Sequence, residues 1–104
     1  MITIYGIDSL LDANKAQMSD VLHGCMSRVL GLPEDKRAQR FVPLDRSNFY
    51  YPGGRSEQYT VIEISMIAGR TEATKKQLIK EIFAAFERDL AIQPVDVEIT
   101  LFEQ

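Results

Sequence analysis

The 104-residue sequence contains no tryptophan, one cysteine and one histidine. A single cysteine excludes an internal disulfide, and together with one histidine it excludes a Cys/His zinc site. No apolar run reaches the length of a membrane span, and the amino terminus lacks the layout of a secretion signal. The formal net charge of -3 disfavours electrostatic binding to nucleic acid or to an anionic membrane surface. We therefore expect a cytoplasmic protein that binds no nucleic acid, membrane or metal.

The composition is that of an ordinary globular protein, with 45% hydrophobic and 26% charged residues. The length suits one domain, and we predict a single domain over residues 1–104. Two segments of that domain, about 1–46 and 58–104, follow the same strand–helix–strand order. Both predicted helices end in a similar sequence that leads to a proline, Leu-Gly-Leu-Pro at 30–33 and Leu-Ala-Ile-Gln-Pro at 90–94. The sequence therefore predicts an internal duplication.

In the first unit, residues 1–5 are β-branched and alternating, which predicts a strand. The apolar residues from Met18 onward recur at helical spacing, which predicts a helix with one buried face. Ser9 or Asp12 is the expected N-cap of this helix, and Gly31 is expected to end it. A second strand is predicted over 40–44.

In the second unit, residues 59–67 form a strongly β-branched segment and predict the third strand. Thr71 is the expected N-cap of the second helix, and Pro94 is expected to end it. Apolar and polar residues alternate over 95–101, which predicts a last strand with one buried face.

Pairing the two units in one sheet gives an α/β, two-layer fold, with a four-stranded mixed sheet and both helices on one face. On the third strand both alternating sets contain large apolar side chains, so the uncovered face should expose apolar surface. Such a surface usually marks an interface, and we expect a homo-oligomer. The alternative is a mixed face that the central loop at 45–58 covers.

The segment Gly69-Arg70-Thr71, which follows a strand and opens a helix, resembles the tautomerase superfamily, which includes 4-oxalocrotonate tautomerase and malonate semialdehyde decarboxylase. The central block from Arg40-Phe41 to Ile62-Glu63-Ile64 is similar to a subgroup of longer, duplicated members. The resemblance implies a tautomerase/MIF-like homotrimer. It also implies proton-transfer chemistry on small oxo-acids with no metal or organic cofactor.

One position departs from the family pattern. Members of the family use an amino-terminal proline as base or acid, whereas residue 2 here is Ile2. We expect Met1 to be retained and its α-amine to be the proton carrier. Arg70, which matches the motif, is the second predicted catalytic residue, because guanidinium groups grip carboxylates and enolates.

Three further side chains are predicted to bind substrate: Arg40 at the start of a strand, Arg55 after a glycine turn, and Tyr50 in the central loop. Other interpretations remain for each of them. The two arginines can instead pair with Glu57 or Glu63, and the tyrosine can pack at an interface.

His23 and Cys25 lie on or beside the apolar stripe of the first helix, and both are interpreted as structural. Two functional hypotheses follow from the whole sequence. The first is a tautomerase-like enzyme that shifts a proton between carbon and oxygen of a small anionic oxo-acid. The alternative is a catalytically inactive trimer of the same fold that binds a small anion or a protein partner.

Overall fold

A computed structural model describes residues 1–104 and contains four strands and two long helices. In chain order the elements are β1 (Ile2–Ile7), α1 (Asp8–Leu30), β2 (Gln39–Leu44), β3 (Thr60–Met66), α2 (Glu72–Leu90) and β4 (Val97–Glu103). A short 3-10 turn precedes β2 at Glu34–Lys36, and another precedes β4 at Pro94–Asp96. Each unit therefore has the same four parts in the same order: strand, helix, 3-10 turn and strand.

The strands form one mixed sheet in the order β2-β1-β3-β4. The two outer pairs, β1 with β2 and β3 with β4, are parallel, because a helix crosses over between their strands. The two units meet at the antiparallel pair β1 and β3, where Ile2 lies opposite Ile64. The predicted fold, a four-stranded mixed sheet built from two β-α-β units, is confirmed.

The core lies between the helices and one face of the sheet. The alternating residues Ile4, Ile62 and Ile64 on the central strands are fully buried, and they face Leu22 and Phe86 on the helices. Full burial of each such side chain contributes about 1.5–3 kcal/mol to the free energy of unfolding. Neither helix has the length and apolarity that a bilayer-spanning segment needs.

The opposite face of the sheet, which we call the open face, carries no helix and mixes apolar with polar groups. Phe102 is 47% exposed there, and the Tyr5 hydroxyl donates to Glu63 Oε1 at 2.7 Å. One end of this face is covered by the central loop, where Tyr51 stacks on Tyr59. The open face is thus more polar than the sequence predicts, and the central loop covers part of it.

The start of α1 differs from the prediction. β1 continues through Gly6 to Ile7, because both residues still pair with β2. The helix begins directly at Asp8, and Ile7 is its N-cap without a side-chain hydrogen bond. Ser9 and Asp12 therefore lie inside the helix and do not cap it.

The second unit follows its predictions more closely at the helix start than at the helix end. Thr71 is the N-cap of α2, and its Oγ1 accepts the Thr74 backbone N–H at 3.1 Å, as predicted. The helix ends at Leu90 because Ala91 turns left-handed at φ 56°, before the predicted stop at Pro94. Pro94 opens the 3-10 turn instead, so the exposed Val95 lies before β4 and not in it.

Candidate functional site

A cavity of about 210 Å³ lies at the start of β1. Its walls come from the second half of α1, the segment between α1 and β2, and the chain that leaves β3. Met26, Leu30, Leu32 and Ile67 make much of the wall apolar. Sites for drug-sized ligands start at about 300 Å³, so this cavity suits a smaller molecule.

Backbone hydrogen bonds hold the amino terminus at this cavity. The Met1 α-ammonium donates to the Ser65 carbonyl at 3.0 Å, and the Ser65 N–H donates to the Met1 carbonyl at 2.8 Å. On the other side, the Ile2 N–H donates to the Ala38 carbonyl at 2.9 Å. The first residue is therefore fixed between the end of β3 and the start of β2.

Arg70 reaches the same cavity from the loop between β3 and α2. Gly69 precedes it at φ 120°, a conformation that L side chains rarely adopt, and Thr71 caps the helix directly after it. Arg70 forms no ion pair within the chain. The structure thus brings the predicted catalytic pair, Met1 and Arg70, into the lining of one cavity, and their roles in catalysis stay predictions.

The formally charged groups in the cavity lining are all positive. Lys36 joins Arg70 and the Met1 α-ammonium, and none of the lining residues is Asp or Glu. This is unusual in a chain with 15 acidic and 12 basic residues. Clustered positive charge against apolar walls raises the local concentration of small anions. No cluster of His, Cys, Asp and Glu side chains has the arrangement of a metal site.

His23 lies in the wall of this cavity and is 3% exposed. Its Nε2 is 3.1 Å from Glu34 Oε2, a distance that favours an ion pair when the imidazole is protonated. The geometry is not that of a hydrogen bond, and both His23 Nε2 and Gln39 Oε1 are buried without a hydrogen-bond partner. Burial of His23 and Cys25 agrees with the structural interpretation of both residues.

The predicted substrate-binding residues lie elsewhere in the chain. Arg40 is on the open face, where it pairs with Thr3 across β2 and β1. Arg55 and Tyr50 are exposed in the central loop, and the Tyr50 side chain is among the most exposed at 92%. None of the three lines the cavity. Their roles in substrate binding stay predictions.

The ion pairs weighed as alternatives for these arginines do not form. Glu57 pairs with Arg46 instead, and Glu63 accepts the Tyr5 hydroxyl. Arg55 donates only to the Gly53 carbonyl, at 3.4 Å. Both Arg40 and Arg55 are therefore free of carboxylate partners within the chain.

The start of β3, which corresponds to the start of β1 in the duplication, is filled by the chain itself. Tyr59 is buried there in contact with Phe49 and Tyr51. Burial, followed by the hydrogen bond that its hydroxyl donates to Glu98, raises the pKa of Tyr59 to about 12. Asp96 accepts the Ser56 backbone N–H at 2.7 Å and the Ser56 hydroxyl at 2.6 Å. These aromatic contacts and hydrogen bonds come from within the chain.

Lys36 and His23 were not among the predicted site residues. The periodicity of α1 places His23 beside the buried face, but only the parallel pairing of β1 with β2 brings the cavity against it. Lys36 ends the 3-10 turn before β2, and no motif in the sequence marks it as a site residue.

Comparison with known proteins places the fold. A family model described as tautomerase enzyme matches residues 36–104. The match to a malonate semialdehyde decarboxylase structure covers 100% of this chain and 84% of the decarboxylase chain, with 25% identity and a TM-score of 0.90. A fused 4-OT, solved as an asymmetric trimer, matches 99% of this chain and 85% of its own, with 24% identity and a TM-score of 0.84.

A member of the cis-3-chloroacrylic acid dehalogenase family is similar at 22% identity and a TM-score of 0.87, covering 99% of this chain and 73% of its own. The last two similarities show the shared fold, and the family model covers most of the sequence. The resemblance found in the Gly69-Arg70-Thr71 segment is thereby confirmed. The chain belongs to the tautomerase enzyme family.

Proposed function

We propose that this chain is a tautomerase that needs no cofactor and moves a proton between carbon and oxygen of a small anionic oxo-acid. One observation carries the proposal: the Met1 amine and Arg70 line the same small cavity, whose polar lining is cationic and free of carboxylates. Such a lining favours an anionic ligand and stabilises negative charge that develops on an enolate oxygen.

The chemistry divides between the two groups. Arg70 pairs with the substrate carboxylate through its planar fork of N–H donors. In its neutral form, the Met1 amine removes the proton from the enol oxygen and returns a proton to the carbon atom of the enol double bond. In the reverse direction it removes the proton from that carbon atom and returns one to the oxygen. Its hydrogen bond to the Ser65 carbonyl orients the amine and leaves the nitrogen lone pair for the substrate.

The assembly we propose is a homotrimer joined through the open face. Phe102 is 47% exposed on that face, and Val42 and Val61, on other strands of the same face, are half-buried. Fused 4-OT proteins of the same fold have been solved as trimers. Arg40 projects from this face, so its proposed part in substrate binding depends on a neighbouring subunit. Sedimentation that shows only an 11.8 kDa species at micromolar concentration would contradict this assembly.

A second candidate function is a trimer that binds an anion without turnover. Ile2 favours it, because this residue is 3% exposed and pairs with both neighbouring strands. Ile2 is therefore a structural residue and cannot replace the catalytic proline of the family. Under this alternative the cavity still binds its ligand, but the protein transfers no proton.

The test is the conversion of phenylenolpyruvate to its keto form, followed by ultraviolet absorbance. The wild type is compared with Arg70→Gln and with a matched control, Lys76→Gln, which removes an exposed cation outside the cavity. We expect Arg70→Gln to lower kcat/KM by about tenfold or more, the loss of a charge-assisted hydrogen bond, and Lys76→Gln to leave it unchanged.

Two results would overturn the proposed activity: no rate above the uncatalysed reaction, or equal rates for the wild type and Arg70→Gln. A further variant separates the two candidate functions. Insertion of proline directly after Met1 restores the residue type that the family uses. Activity that appears only in this variant would favour the binding trimer over the enzyme.

A further inference from the structure

We propose that Arg40 of one subunit forms an ion pair with Glu98 of the neighbouring subunit, and that this pair fixes the register in which the open faces meet. The inference rests on the proposed function in one respect, that copies of this chain assemble through the open face. It identifies the charged contact that orders the subunits in a closed ring. In this role Arg40 binds a neighbouring subunit rather than the substrate.

The two charges lie on opposite edges of the sheet. Arg40 is on β2 and Glu98 is on β4, which are the outer strands, and both residues are exposed. Their neighbours in sequence, Phe41 and Ile99, pack against the core, so Arg40 and Glu98 point to the open face. Three strand spacings of about 4.8 Å separate their backbones by at least roughly 14 Å. The two charges therefore pair between subunits and not within one.

Neither charge has a partner of opposite sign within the chain. Arg40 forms no ion pair, and the Glu98 carboxylate accepts a hydrogen bond only from the Tyr59 hydroxyl. The third charged strand residue of the open face, Glu63, accepts the Tyr5 hydroxyl and lies on a central strand. The bond from Tyr59 orients the Glu98 carboxylate and leaves one of its oxygens for a guanidinium. Less side-chain entropy is then lost when the ion pair forms.

The internal duplication supplies a second observation. Arg40 is the second residue of β2, and Glu98 is the second residue of β4, so they occupy the same position in the two units. A ring closed by rotation uses a head-to-tail contact, in which two different patches meet. Contact between β2 of one subunit and β4 of the next brings opposite charges together. Contact between two copies of the same strand would instead bring like charges together, which disfavours that arrangement.

The apolar part of the open face does not set the register by itself. Phe102 is 47% exposed, and Val42 and Val61 are half-buried on other strands of the face. Burial of such side chains stabilises an interface, but the hydrophobic effect has no direction. Complementary charges supply the specificity that apolar contact lacks.

Sedimentation of the full chain over a concentration series, at fixed pH and ionic strength, measures the assembly. We expect the wild type to reach three times the monomer mass of 11.8 kDa. Arg40→Glu and Glu98→Arg should each raise the concentration of half-assembly about tenfold or more, because each reversal brings like charges together. The double variant Arg40→Glu/Glu98→Arg should return to the wild-type value. Lys76→Glu, a matched reversal at an exposed position of α2, should change nothing.

A further variant separates the ion pair from the hydrogen bond to Tyr59. Glu98→Gln removes the charge but keeps an oxygen that accepts the Tyr59 hydroxyl, and it should weaken assembly in the same direction as Glu98→Arg. Thermal unfolding of each variant confirms that it is folded, and the exposed positions of Arg40 and Glu98 favour this.

Three results would overturn the ion pair: a wild type that stays monomeric, single reversals that leave assembly unchanged, or a double variant that assembles no better than the weaker single variant. Loss of turnover in Arg40→Glu without a change in assembly would assign Arg40 to the substrate instead. Failure here is distinct from failure of the proposed activity. Assembly through the pair without turnover refutes only the enzyme, and turnover by a trimer that tolerates both reversals refutes only the pair.

Discussion

The two strand–helix–strand units share one plan but end differently where their first strands begin. At the start of β1 the chain leaves a cavity lined by Met1, Lys36 and Arg70. At the start of β3 the chain packs Phe49 and Tyr51 against Tyr59. A duplicated scaffold thus has two related positions, of which one is filled by internal packing and the other lines a cavity that we propose as the ligand site.

The start of β3, which we call the filled end, shows what internal packing contributes to stability. The ring centroids of Tyr51 and Tyr59 are 5.7 Å apart, and those of Phe49 and Tyr59 are 6.0 Å apart. Aromatic pairs at such separations contribute about 0.5–1.5 kcal/mol each beyond the area they bury. The Ser56–Asp96 hydrogen bonds fasten the loop that carries these rings. The second unit therefore packs internally at the position where the first unit lines the cavity proposed to bind a ligand.

The largest expected effect is on stability at the filled end. Asp96→Asn removes a buried charged acceptor from Ser56 and should lower the free energy of unfolding by about 1.5–3 kcal/mol. A variant at the cavity, Lys36→Gln, should change the free energy of unfolding by less than about 0.5 kcal/mol, because Lys36 is exposed and forms no ion pair. Urea unfolding measures both. Similar losses in the two variants would remove the distinction between the ends.

The two helix ends allow a second, smaller comparison. Each helix is followed by a residue in the left-handed conformation, Gly31 at φ 69° after α1 and Ala91 at φ 56° after α2. Glycine adopts this conformation without the Cβ penalty, which is about 1 kcal/mol for alanine. Gly31→Ala should therefore destabilise the chain by about 1 kcal/mol, and Ala91→Gly should stabilise it by a similar amount. Shifts of the same sign in thermal unfolding would show that these helix ends are not equivalent.

The last expected effect is a titration that is confined to high pH. With the pKa of Tyr59 raised from 10.0 to about 12, the folded chain favours the neutral phenol. This contribution to stability is complete below pH 10 and is lost as the pH rises toward 12. Absorbance of phenolate should show a component that titrates near pH 12 and disappears in Tyr59→Phe. Tyr50→Phe, a control at a 92% exposed ring, should leave that component unchanged.

The sequence predicts α2 better than α1 for a physical reason. Thr71 caps α2 by a local hydrogen bond to Thr74, which spacing along the chain reveals. The start of α1 depends on β2, because pairing of Ile7 with Leu44 extends β1 up to the helix. The prediction that Ser9 or Asp12 caps α1 is therefore wrong. Contacts between residues distant in sequence decided that boundary.

The candidate site was predictable in part. Arg70 stands in a local motif, and the family resemblance points to the amino-terminal residue, so the sequence predicts Met1 and Arg70 as site residues. Lys36 reaches the same cavity only because β1 pairs with β2 on one side and with β3 on the other. The mixed character of the open face also depends on distant partners, such as Tyr5 with Glu63. Helical and strand periodicity do not encode these pairings.

The central claim is that a small anion binds at the start of β1 and not at the start of β3. Titration of ¹⁵N-labelled protein with succinate, followed by backbone amide chemical shifts, tests it directly. We predict saturable shifts at Gln39, Ser65 and Arg70, with Ser56 and Tyr59 unchanged. Absence of shifts at the first group, or equal shifts at both ends of the molecule, would contradict the account.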